Sequence, residues 1–194
     1  IQVEADKELA KAKPAMDAAN EAVNCLDKNS LNELKGFATP PGGVPDVTGA
    51  VLMMLEGEFK NHSWDRAKKM MSNLGQFLEK LQTYDAENMP EALVQKMLKA
   101  IENPMIDYEV MLAKSSAAAN LAAWVVNVVG YNRIYVKVKP LMDALEDSMA
   151  AKMAAEESLQ TANIAVDAAN KILADLREAL MAATVEKQEV EKEK

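Results

Sequence analysis

Side chains able to do covalent or metal chemistry are few and scattered. His62 is the only histidine and Cys25 the only cysteine. A nucleophile needs a base within hydrogen-bond reach, and a metal needs several convergent ligands. A histidine in a loop with Asn61 and Ser63 therefore reads as a surface residue. Cys25 flanks a seam position in a helical run with no histidine nearby, and reads as a flank residue. Glu156-Glu157 and the acids of 186–193 read as solvated faces. Gly42-Gly43 lies in a proline-rich turn without the lysine of a phosphate loop of the form G-x-x-x-x-G-K-[ST]. No catalytic residue, metal site or cofactor is implied, and the chain reads as non-enzymatic. What remains is binding chemistry.

The elements that would position a binding surface are all helical. Alanine, leucine, methionine, glutamate and lysine dominate, with only 7 Gly and 7 Pro in 194 residues, a bias that favours helix. No alternating apolar run with turn residues suggests a hairpin. Pro40-Pro41 and Pro140 bracket a block of short helices, and an apolar seam runs along the chain on either side. In residues 1–39, Ala5, Leu9, Ala12, Met16, Ala19, Val23 and Leu26 step by fours and threes, the rhythm of a coiled-coil seam. Pro14 predicts a bend there. The phase slips across Asp27-Lys28-Asn29-Ser30, and Ser30-Leu31-Asn32-Glu33 matches a capping box, so a helix restart is expected. In residues 140–194, Leu159, Val166, Leu173 and Leu180 recur every seventh place, with Ala162, Ala169, Leu176 and Ala183 three places after each. That seam degrades towards the block, where Lys152 falls on it and Met149 and Met153 sit one place off.

Inside the block, residues 40–139, the pattern predicts five to six helices. They are 46–58 with Asp46 as cap and Val47, Val51, Met54 and Leu55 facing inward, one from Trp64 through Met71, one carrying Phe77, Leu78 and Leu81, and one opening at Asn88-Met89-Pro90. A short helix at 108–112 and a long one over 115–138 complete the set. Met53, Met54, Met70, Met71, Met97, Met105 and Met111 fall at helical spacing and are read as core, as are Trp64 and Trp124. The expected architecture is all-α: an antiparallel two-helix coiled-coil stalk (1–39 out, 140–194 back) capped by a small globular bundle. The unmatched ends of the arms would be unpaired.

The formal net charge is −8, which argues against a nucleic-acid partner. The acidic excess lies on the arms, while the 41–139 block is balanced. A single cysteine permits no internal disulfide and fits a reducing, intracellular compartment. No apolar run reaches the ~18–20 residues of a membrane span, and no signal peptide is visible. Both ends fall inside helical patterns without a cap, as expected of a piece of a longer chain.

Several separate signatures then share one resemblance. Ala12-Lys13-Pro14-Ala15-Met16, Leu26-Asp27-Lys28-Asn29-Ser30-Leu31, Glu33-Leu34-Lys35-Gly36-Phe37 and Pro40-Pro41 resemble the outgoing stalk helix of dynein heavy chains. Trp64-Asp65 with Ala67-Lys68-Lys69, Tyr84-Asp85, Pro90, Glu102-Asn103-Pro104, residues 117–124, Tyr131 and Pro140 resemble that family's microtubule-binding domain. The resemblance implies a helical head that grips tubulin, with the ATPase ring outside this sequence. It also implies that affinity is switched by sliding one stalk helix half a heptad past the other, roughly 6 Å.

The contact helices would be about 47–55 and 120–138. The implied microtubule-binding residues are Val47, Thr48, Val51, Lys60, Arg66, Lys68, Lys69, Val126, Asn127, Arg133 and Lys137, with Pro40, Pro41 and Pro140 as hinge or switch positions. Asp46 and Val126 stand where cytoplasmic members of the family tend to place basic residues. That implies weaker, less salt-sensitive binding and an axonemal, ciliary or flagellar member. For some outer-arm members it also implies a leucine-rich-repeat light chain on the head. The other reading of the same pattern is a structural coiled-coil hairpin whose head docks another protein, as an adaptor or scaffold would.

Overall fold

The computed structural model describes residues 2–57, 60 and 62–192. Glu58 and Asn61, expected at a helix end and in a loop, lie outside the described residues. The chain divides into two compact units, Ile1–Met142 and Asp143–Lys194. The described residues form eight α-helices and one short 3₁₀ turn, with no strand among them.

Helix α1 (Gln2–Asn24) runs through Pro14. Ala5, Ala12 and Ala19, seven residues apart, are buried together with Val23, so the seam read from spacing is the face this helix hides. Helix α2 (Lys28–Gly36) restarts the chain as the phase slip predicts, but its cap is not Ser30. Asp27 takes that place: its carboxylate accepts the Ser30 backbone N–H at 2.7 Å, and the Ser30 hydroxyl faces the Asp27 N–H at 3.4 Å. The capping box is present one turn earlier, with Ser30 as its reciprocal partner. The Ser30 backbone N–H, helped by its hydroxyl and by the Asn29 N–H, holds the Asp27 carboxyl below the usual carboxylate range.

A depressed folded-state pKa means a contribution present above the unfolded carboxylate value, about pH 4, and lost as pH falls through the folded one. Asp27→Asn should therefore flatten the fall in melting temperature below about pH 4. Thermal melts at stepped pH check this. An unchanged acid limb would assign it to other carboxylates, Asp85 first, whose carboxyl is lowered by the Asn88 side chain and backbone.

Leu31 and Leu34 of α2 are fully buried in the same core as Ala19, Ala22 and Val23 of α1. The last turns of the outgoing arm thus belong to the head's core. Five short helices follow: α3 (Val44–Glu56), α4 (Trp64–Met70), α5 (Leu74–Gln82), α6 (Glu91–Ile101) and α7 (Tyr108–Leu112), with a 3₁₀ turn at Pro104–Ile106. Helix α3 begins at Val44 rather than at Asp46, because Gly43 at φ 90° and Pro45 in the first turn start it two residues sooner. Asp46 sits in that first turn, where its charge favours the helix dipole. Ser63, Asn73 and Asp107 cap α4, α5 and α7 through their side chains.

Helix α8 (Ser116–Lys192) passes through Pro140 without a break. The expected helix end near 138 is corrected here. Proline in a helix interior removes one bond to the carbonyl four residues back and crowds it. Pro140 and Val136 are both exposed, so water can take the freed carbonyl and the helix continues.

The core gathers Val44, Val47, Val51, Met71, Phe77, Leu81, Met97 and Met111 around Leu121, Trp124, Val125 and Val128 of α8. Met54 is buried with them, and Met53 and Met70 pack at the edge, as the helical spacing of the methionines predicts. In Asp143–Lys194 the seam residues Leu159, Val166, Leu173 and Leu180 are all exposed. A single helix with a bare seam gains nothing from burial, which is where most helical stability in proteins arises.

Candidate functional site

Within Ile1–Met142, α1 enters the core with its C-terminal end and α8 leaves it from its N-terminal end. Beyond the core, Leu9, Lys13 and Met16 of α1 and Tyr131, Tyr135 and Met142 of α8 line one cavity of about 540 Å³. The two helices therefore run in opposite directions away from the head.

Four of the expected contact residues lie on α8. Val126, Arg133 and Lys137 are exposed, and steps of seven and four place them on one stripe of the helix with Gly130 between. Neither Arg133 nor Lys137 has an ion-pair partner among the described residues. Asn127 lies one residue, about 100°, off that stripe, and its side-chain N–H donates to the Ala123 carbonyl at 2.8 Å.

The α3 side differs from expectation. Val47, Thr48 and Val51 are buried, and the Thr48 hydroxyl donates back to the Val44 carbonyl at 3.0 Å. As direct contacts these three are corrected: their side chains build the core behind α3 and offer no surface. What α3 shows to solvent includes Asp46 and Glu56, which are acidic. Of the basic residues nearby, Arg66 pairs with Glu56 at 2.6 Å and Lys68 with Asp65 at 3.0 Å. Lys60 and Lys69 are exposed. Half of this basic group is thus already answered by the head's own carboxylates.

The turn at Pro40 and Pro41 is held from three sides. The Trp64 indole N–H donates to the Phe37 carbonyl at 3.0 Å, and the Lys114 ammonium donates to the Gly42 carbonyl at 2.6 Å. Met105 and Met111 close over Gly43, where an added Cβ would stand 2.7 Å from Met111 Cε. Lys114 was not among the residues expected from sequence. Its partner lies seventy-two residues away, and such a pair leaves no local signal.

His62 packs its Cβ against Gly49 of α3. Among the described residues no group of His, Cys, Asp or Glu could hold a metal ion. No helix among them is long and apolar enough to cross a membrane.

Within Ile1–Met142, a helical head from which α1 and α8 extend with opposite chain directions, with a basic stripe on α8, defines a helical binding module. The chain belongs to the family of the microtubule-binding stalk of the dynein motor, whose model matches residues 1–194. It is 38% identical to human dynein axonemal heavy chain 17 over 185 residues, 94% of this chain and 4% of that protein. It is 41% identical to the ciliary dynein beta chain of Tripneustes gratilla over 143 residues, 72% of this chain and 3% of that protein. The fold resembles a solved microtubule binding domain of dynein-c at a TM-score of 0.59 and 27% identity, over 70% of this chain and 94% of that one. The chain spans only a small fraction of the length of the two heavy chains it matches.

Proposed function

We propose that this chain is the microtubule-gripping tip of an axonemal dynein heavy chain, and that the stripe Val126, Arg133 and Lys137 on α8 is its main contact, with Arg133 and Lys137 as its cations. The observation that carries the assignment of the site is the exposure of Arg133 and Lys137 on one face, without counter-ions among the described residues. Unpaired charges on one face can steer and register an acidic partner, while Arg66 and Lys68 have less to offer because they are already paired. Lys60 and Lys69 are auxiliary contacts. Val47, Thr48 and Val51 act indirectly, by fixing the angle at which α3 presents its outer face.

Affinity is set by the relative register of the two arms, and Pro40 and Pro41 transmit it from α2 into α3. Pro140 lets α8 flex without ending. The axonemal placement rests on the ciliary and axonemal heavy chains that the sequence matches. The whole parent chain would be an ATP-driven motor. A leucine-rich-repeat light chain is a second candidate partner, and the exposed Tyr108, Val110 and Leu112 of α7 give it apolar surface.

Co-sedimentation with microtubules across a salt series tests the reading. Arg133→Glu should weaken binding roughly 5–20-fold at low salt, with the difference shrinking as salt rises. Lys69→Glu is the comparison on α4. An equal loss from both would move the contact off the α8 stripe, and no pelleting of the parent chain would favour a scaffold head.

A further inference from the structure

Asn132 is 1% exposed, on the otherwise apolar buried face of α8. The other two buried polar side chains among the described residues, Thr48 and Ser115, serve their own helix ends. Asn132 instead reaches a distant segment: its side-chain N–H donates to the Ala86 carbonyl at 2.8 Å, with the Glu87 carbonyl 3.4 Å away. The neighbouring Tyr131 hydroxyl donates to the Glu87 carboxylate at 2.8 Å. The loop that receives these bonds is itself tightly knotted. The Asp85 carboxylate accepts from the backbone N–H groups of Glu87 and Asn88 and from the Asn88 side chain. Two turns back along α8, Trp124 meets the Tyr84 ring edge-on at 5.3 Å.

We infer that the 84–88 loop is a clamp that locks α8 to the head, and that Asn132 and Tyr131 are the positioning residues that hold α8 fixed there, so that a change of arm register is passed into the head through α1. This rests on the microtubule-binding reading above. An apolar residue of similar size would fill the Asn132 site, so a buried amide there specifies position, as single buried polar residues do in helical seams. A four-residue slide of about 6 Å would carry both donors far outside hydrogen-bond range. A rotation by one residue would take Asn132 off the loop and swing Arg133 and Lys137 with it. On the side of α1 the clamp faces the 540 Å³ cavity, so a register change is accommodated between α1 and the clamped helix.

The test fixes the arms of this chain in two registers half a heptad apart, using engineered cysteine pairs in a Cys25→Ser background, and measures microtubule Kd in each. The parent should differ between registers by about tenfold or more, and Tyr131→Phe/Asn132→Leu should bring the two within about twofold. Tyr131→Phe alone, which removes only a hydroxyl, replaces the double variant if that loses its cooperative melt, and should at least halve the ratio. A ratio unchanged by loss of these bonds overturns the clamp while leaving microtubule binding intact. Equal pelleting of the parent in both registers overturns it too, since no register signal remains to carry. Absence of pelleting overturns both readings, so the failures are distinguishable.

Discussion

Trp124→Ala is expected to destabilise the head by about 3–5 kcal/mol, the range for removing a large aromatic side chain from a packed core. Trp124 is 2% exposed and belongs to the cluster joining α8 to α3, α5 and α6. It also carries the edge-on contact to Tyr84, at 72° between planes, and such pairs add about 0.5–1.5 kcal/mol beyond area. Burial, with the Asp85 charge beside it, pushes the Tyr84 phenol up to about 12, so this ring is held as a neutral hydrophobe. Against a typical total stability of about 5–15 kcal/mol, the loss removes a large share of what holds the head together. Urea denaturation followed by far-UV circular dichroism checks it. Trp64→Ala is the comparison: Trp64 is half-buried and its indole holds one carbonyl, so about 1–3 kcal/mol is expected. A Trp124 cost no larger than the Trp64 cost would mean that the core does not centre on α8.

Gly43→Ala is the second large effect, at about 2–4 kcal/mol, from a left-handed backbone plus local overpacking. Gly43 has φ 90°, where a side chain is strained in any surroundings. A new Cβ would also stand 2.7 Å from Met111 Cε and 3.0 Å from Met105 Cβ. The methionine tip can swing aside; Met105 Cβ is tied to the backbone and cannot. Gly42 has no positive φ and only Met105 Cε at 3.8 Å, so Gly42→Ala should stay within about 0.5 kcal/mol. Equal costs at the two positions would show that the turn tolerates a side chain and that neither φ nor the methionines set it. If Gly43→Ala folds at reduced temperature, its microtubule affinity reports whether the α2–α3 turn transmits arm register.

Features set by neighbouring residues are legible in residue order alone. The seven-residue spacing of Ala5, Ala12 and Ala19, the break at Pro40-Pro41 and the short helix at 108–112 all arise from local periodicity or backbone chemistry. The phase slip after Leu26 signals a helix restart, but two capping boxes compete there, and the geometry favours Asp27 because its carboxylate reaches the Ser30 N–H. Pro140 reads as a terminator, since its local cost is real. The helix on both sides of it is long enough to continue regardless. Helical spacing already turns Val47 and Val51 inward, and they are buried there; it is the resemblance that offers them as contacts. For Thr48, one place along from Val47, only the packing says that its side is covered.

By itself the sequence determined an all-helical chain, two seams, a proline-bounded head and the family to which it belongs, since each is written in residue type and short spacing. The tertiary structure decided which cations are paired and which are available. Arg66 looks equal to Arg133 and Lys137 in one dimension, yet it meets the Glu56 carboxylate of another helix at 2.6 Å, whereas the Lys68–Asp65 pair, three residues apart on one helix, is legible from spacing. It also decided that Asn132 faces Ala86, forty-six residues away. Coulomb attraction and hydrogen bonding act over a few ångströms of space, and distance along a chain says nothing about them until the chain has folded.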